Sequence, residues 1–110
     1  IRLADTYLLE AEAIVMGGGN IARAQELLDA VRERVNLPSI AVSMASIKIE
    51  RRFELVGEGH RWFDLVRWGD AASALAFKGF IKGKHELLPI PLLELENTKL
   101  VQNVEYGGGI

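Results

Sequence analysis

Apolar residues return every three or four positions over residues 2–16, at Leu3, Ala4, Tyr7, Leu8, Ala11, Ile14 and Val15, which is the period of a helix with one side turned inward. Gly17, Gly18 and Gly19 then end the run, because glycine loses the most conformational freedom on entering a helix. Asn20 is the expected N-cap of a second helix, with Ala24, Leu27, Leu28, Val31 and Val35 as its apolar stripe. Its other side carries Arg23, Glu26, Asp29, Arg32, Glu33 and Arg34, and Leu37-Pro38 stops it, since a residue ahead of proline is pushed out of helical geometry. So short a connection requires antiparallel packing. Residues 1–36 are therefore read as a hairpin of the tetratricopeptide type, with the small Ala11 and Ala24 where the helices come close. A lone hairpin of this kind cannot bury both of its faces, so its neighbours are expected from a longer protein.

Residues 39–46 form a link in which Ser43 or Ser46 caps a third helix. Charge and aromatic surface then crowd into residues 50–70, ERRFELVGEGHRWFDLVRWGD, and Gly57 to Gly59 divide this stretch into two amphipathic pieces. In the first piece Ile49, Phe53 and Val56 form an apolar stripe that should face inward, while Glu50, Glu54 and Glu58 fall along another. That acidic row repels itself unless cations lie against it. Local spacing offers Arg51 to Glu54, Arg61 to Glu58 across the glycine turn, and Arg67 to Asp64. The expectation is a partly buried structural clamp of Glu54, Glu58, Arg61, Asp64 and Arg67. In the second piece Trp62, Leu65 and Trp68 share a helical face beside Phe63 and Val66, a pattern read as core.

Beyond this stretch, residues 70–77 read as a small-residue helical turn and residues 78–86 as an exposed loop rich in lysine. Pro89-Ile90-Pro91 forces an extended path, Leu92 to Glu96 make one helical turn, and the terminal GGGI is read as loose. The fold class is thus all-α. A single domain is expected, made of the hairpin 1–36, the charged and aromatic helices of 43–77 and a loop-rich segment 78–110.

Composition changes this picture mainly by exclusion. Thirteen basic and 15 acidic side chains give a net charge of −2, so no global field draws in nucleic acid or an anionic membrane. The absence of cysteine rules out disulfides and cysteine-type zinc sites. No apolar run is long enough to span a bilayer, and no leader pattern opens the sequence. His60 and Asp64, four apart with Glu58 nearby, superficially suggest a metal, but a third strong ligand is missing and no metal or cofactor is expected. Glu58 and Asp64 also resemble an acid and base pair for glycoside cleavage, yet the arginines between them should keep both ionised. Catalysis is not expected. The remaining candidates for chemistry are Trp62, Trp68 and Tyr106, whose aromatic faces match the apolar face of a pyranose ring.

The order Glu50, Arg52, Glu54, then Glu58-Gly59-His60-Arg61-Trp62-Phe63-Asp64-Leu65, Arg67-Trp68-Gly69, resembles the C-terminal part of the SusD/RagB family. Two flanking blocks fit the same family, RLADTYLLEAEA at residues 2–13 and KHELLPIPLLELENTKLVQN at residues 84–103. The resemblance implies a fragment of a longer helical-repeat lipoprotein, its lipid anchor outside these residues. Such a protein sits on the outer face of the outer membrane, binds oligosaccharides or polysaccharides without cleaving them, and partners a SusC-like TonB-dependent transporter. In that setting this fragment supplies mainly scaffold. A helical-repeat module for peptides and a glycoside hydrolase fragment are the rival readings.

Overall fold

The structure, a computed structural model, describes residues 2–108. Helices run over Leu3–Gly17 (α1), Ile21–Glu33 (α2), Met44–Glu54 (α3), Arg61–Trp68 (α4), Ala71–Ala74 (α5) and Leu92–Asn97 (α6), with 3₁₀ turns at Ala76–Lys78 and Val104–Tyr106. Among the described residues there is no strand, so the architecture is all-α. The chain forms two compact units, Ile1–Arg61 and Trp62–Ile110.

In the first unit α1 ends on Gly18, whose φ of 69° is the left-handed conformation that glycine adopts without steric cost. Asn20 caps α2, its side-chain oxygen accepting from the Arg23 amide. α2 stops at Glu33, short of the Leu37-Pro38 boundary, and Asn36 turns the chain with a φ of 58°. This leaves Val35 outside the helix and about half exposed, so the stripe ends at Val31. α3 opens with a reciprocal capping box: Ser43 accepts from the Ser46 amide, and the Ser46 hydroxyl accepts from the Ser43 amide.

α1 and α2 close on each other through two buried clusters. Ala11, Ala24, Leu27 and Ile47 form one, and Leu8, Leu28 and Val31 the other. Ala11 and Ala24 are fully buried, as befits positions where helix backbones approach. Leu8, Leu27, Leu28 and Ile47 are the largest side chains removed from water, each contributing about 1.5–3 kcal/mol. Ile40 and Val42 of the link also pack on these clusters. The Gln25 side chain holds them there, donating to the Ile40 carbonyl and accepting from the Val42 amide, both at 2.8 Å.

α3 departs from its expected orientation. Ile49, Phe53 and Val56 face out, while Ile47, Glu50, Arg51 and Leu55 are buried. Charge is turned inward because α1 and α2 present charges of opposite sign to it.

In the second unit Leu65 and Ala71 are the buried apolar residues, with Asp64 beside them. Phe63 is two-thirds exposed, Trp62 lies 39% exposed, and Trp68 is partly buried, so the aromatic face of α4 is only partly covered. Residues 89–91 are extended, and the tail straps them down. Gln102 accepts from the Ile90 amide at 2.9 Å and donates to its carbonyl at 2.8 Å. Asn103 donates to the Leu88 carbonyl, and the Tyr106 hydroxyl to that of Leu87. Of the terminal glycines that are described, Gly107 caps the 3₁₀ turn and the Gly108 amide donates to the Asn103 carbonyl. Gly109 and Ile110, the rest of the expected loose tail, lie outside the described residues.

Candidate functional site

The charged residues of the first unit form a lattice joining all three of its helices. Arg2, just ahead of α1, donates from Nε and Nη2 to both carboxylate oxygens of Glu58, at 2.8 and 2.7 Å. It also reaches the Glu54 carboxylate at 2.9 Å and the Glu54 carbonyl at 2.8 Å. One arginine thus ties the start of α1 to the end of α3 and the turn after it. Arg34 from the end of α2 makes a short contact with the same Glu54 oxygen. Deeper in, Arg32 of α2 pairs with Glu50 at 2.6 Å, with side chains only 12% and 7% exposed. Arg51 pairs with Asp5 of α1 at 2.9 Å, at 2% and 8% exposure.

Bidentate contact with Arg2 lowers the pKa of Glu58, and the same hydrogen bonds, Glu58 first and Glu54 second, raise that of Arg2. Glu58 is therefore held as a carboxylate. That is the opposite of what a general acid for glycoside cleavage requires.

Of the residues singled out in the sequence, Glu54 and Glu58 meet at Arg2, and Asp64 takes Arg67 at 3.0 Å within α4. The local pairings expected of Arg51 and Arg61 are replaced. Arg51 turns to Asp5, Glu58 turns to Arg2, and Arg61 stands exposed at the start of α4. Arg2, Asp5, Arg32 and Arg34 enter the lattice from outside the 50–70 stretch. Sequence separations of up to 56 residues put them beyond the reach of helical spacing. The one available signal was the self-repulsion of the acidic row, which demanded cations without saying where they come from.

His60 lies with Nδ1 4.0 Å from Asp5 Oδ2. Among the described residues no three His, Asp or Glu side chains are placed to hold a metal ion.

The aromatic candidates divide in the second unit. Trp62 stacks at a tilt on Phe80, centroids 5.9 Å apart, and Phe80 meets His85 edge-on at 5.6 Å. Trp68 has the Arg67 guanidinium 5.4 Å from its ring centroid. Tyr106 lines an open cleft of about 270 Å³ with Lys84, Leu87, Asn103 and Glu105. The Lys84 ammonium stands 5.0 Å over its ring, and its hydroxyl is committed to the Leu87 carbonyl. The cleft combines one aromatic wall with an amide and charges of both signs, a mixture suited to hydroxyl-rich ligands.

A helical hairpin locked to a third helix by paired charges defines a helical-repeat scaffold class. Comparison with known proteins is more specific: the chain belongs to the SusD family, whose model matches residues 1–83. It is 36% identical to the SusD-like protein P25 of Formosa agariphila over 98% of its own length and 24% of that protein's. A second protein of that organism, SusD-like protein P38, is 34% identical over 96% of this chain and 24% of its own length. Among solved structures, a laminarin-binding SusD-like protein matches with a TM-score of 0.86 and 63% identity, over 94% of this chain and 22% of that one. The chain thus spans about a quarter of the length of the relatives it matches.

Proposed function

We propose that this chain is part of a non-catalytic glycan-binding component of an outer-membrane uptake system, and that its own contribution is chiefly scaffold. The observation that carries this reading is the 63% identity to a laminarin-binding SusD-like protein across 94% of the chain. A laminarin-type glucan is accordingly the ligand class favoured for the intact protein. A SusC-like TonB-dependent transporter is the expected partner, and the outer face of the outer membrane, through a lipid anchor, the expected location. Among the described residues no helix is long and apolar enough to cross a membrane.

The scaffold assignment has its own support. Arg2, Asp5, Arg32, Arg34, Glu50, Arg51, Glu54 and Glu58 pair with one another across the three helices, and the Arg2 contact holds Glu58 in the form that cannot donate a proton. This weighs against the hydrolase reading. Calorimetric titration of the intact protein with laminarin oligosaccharides, followed by analysis of the recovered sugar, tests both parts. Saturable binding with sugar of unchanged length is expected. Shortened products would overturn the binding-protein reading, and heat only with peptides would favour a peptide-recognition module.

A further inference from the structure

Residues 81–85 close a turn around one histidine. The Ile81 amide donates to His85 Nδ1 at 2.9 Å and the Ile81 carbonyl accepts from the His85 amide at 3.0 Å, so both backbone polar groups of Ile81 end on His85. Phe80 packs edge-on against the imidazole, and Trp62 of α4 packs on Phe80 in turn. The same turn carries Gly83 and Lys84 into the wall of the 270 Å³ cleft, where the Lys84 ammonium lies 5.0 Å over the Tyr106 ring.

A ring nitrogen that accepts an amide hydrogen carries none of its own, so the single ring proton of neutral His85 sits on Nε2. A second proton, taken from water, would occupy Nδ1. Both nitrogens are then donors, and the Ile81 amide has lost its acceptor. We propose that His85 is an acid-sensitive latch: unprotonated, it fastens the turn and sets Lys84 across Tyr106, and protonated, it releases the Ile81 amide and frees that wall of the cleft to open. The latch is therefore closed at higher pH and lost as pH falls.

The surroundings give a protonated ring little to hold it in place. Phe80 and Trp62 bring no charge to it. On the turn, Lys82 is exposed, Lys84 is engaged by Tyr106, and the Glu86 carboxylate already accepts from the Gly83 amide at 2.7 Å. On α4, Arg61 is exposed and Asp64 pairs with Arg67. From the tail, Glu105 lines the cleft and the Tyr106 hydroxyl donates to the Leu87 carbonyl. Among the described residues His85 takes part in no ion pair.

Nitrogen-15 resonance of the histidine rings in the intact wild-type protein reads the tautomer directly. At about pH 8, His85 should show a bare Nδ1 and a proton on Nε2. Once acidification toward about pH 5 has protonated the ring, the Ile81 amide signal should shift and the nuclear Overhauser contact between the Lys84 side chain and the Tyr106 ring should vanish. His85→Asn offers the amide an acceptor that does not titrate and should keep this contact at both pH values. His85→Phe keeps a ring against Phe80 without an acceptor and should lack the contact at both. A proton on Nδ1 at about pH 8 would overturn the latch with no substitution needed, as would a ring still neutral at about pH 5 or a Lys84 contact that survives protonation of His85. Loss of the contact on acidification of His85→Asn would assign the change to another group and overturn it equally.

Discussion

Arg51 and Asp5, 46 residues apart in sequence, share a 2.9 Å charged hydrogen bond buried between α3 and α1. Neither the apolar stripe of α3 nor local charge spacing points to it. The two charges are removed from water and stabilise each other there, so removing one weakens what offsets the burial of the other. Arg51→Met should destabilise the fold by roughly 3–5 kcal/mol, whereas adding Asp5→Leu should restore much of that loss. Urea unfolding of the two single variants and the double variant checks it. Additive losses would mean that the two charges do not depend on each other.

Glu58 sets the acid response of the lattice. Its pKa is lowered in the folded protein by Arg2, so the stabilisation is fully present above the ordinary glutamate range and is lost as pH falls through the lowered value. The melting temperature of Glu58→Gln should therefore lie below wild type at neutral pH. The gap should close progressively as pH falls below about 4.5, the usual glutamate value. A gap that persists unchanged at pH 2 would show that some other contact is responsible.

Ala11 and Ala24 are fully buried in one cluster with Leu27 and Ile47. Ala24→Leu should cost about 1–3 kcal/mol by forcing α1 and α2 apart. Circular dichroism melts would register the loss, and Ala30→Leu on an exposed part of α2 serves as the neutral control.

Gln102 binds both backbone groups of Ile90. Gln102→Ala should strip the Ile90 amide of its protection against hydrogen exchange and destabilise the second unit by about 1–3 kcal/mol. Exchange measured by mass spectrometry over residues 87–93 checks it. Unchanged protection would mean that the tail does not hold this segment. Gly108 supports the same strap: a side chain there would overlap the Gln102 carbonyl, so Gly108→Ala should loosen the segment in the same way.

Much of the fold was legible in the sequence because its determinants are local. The apolar period of α1 and α2, the Asn20 and Ser43 caps and the Gly57 to Gly59 break each act within a few residues, and each lies where the pattern put it. Orientation was less legible. The stripe Ile49, Phe53 and Val56 has the pattern of an inner face, yet Arg32 and Asp5 reach across from other helices and draw Glu50 and Arg51 inward instead. Periodicity identifies a helix with two unlike sides. Which side turns inward depends on what stands opposite, and that is long-range information. The lattice was foreseeable as a need for cations, and its actual donors, Arg2 above all, were not. The aromatic candidates Trp62, Trp68 and Tyr106 could be named from their chemistry, but their different surroundings become visible only once Phe80, Arg67 and Lys84 are placed beside them.

The strapped segment at residues 89–91 also has a bearing on solubility. An extended run with free amides and carbonyls is a template on which another chain can pair and begin to aggregate. Here Pro89 and Pro91 have no amide hydrogen to offer, and both polar groups of Ile90 are already taken by a single glutamine side chain. The protein thus keeps a stretched, apolar stretch of backbone at its surface that offers no foothold for intermolecular sheet growth.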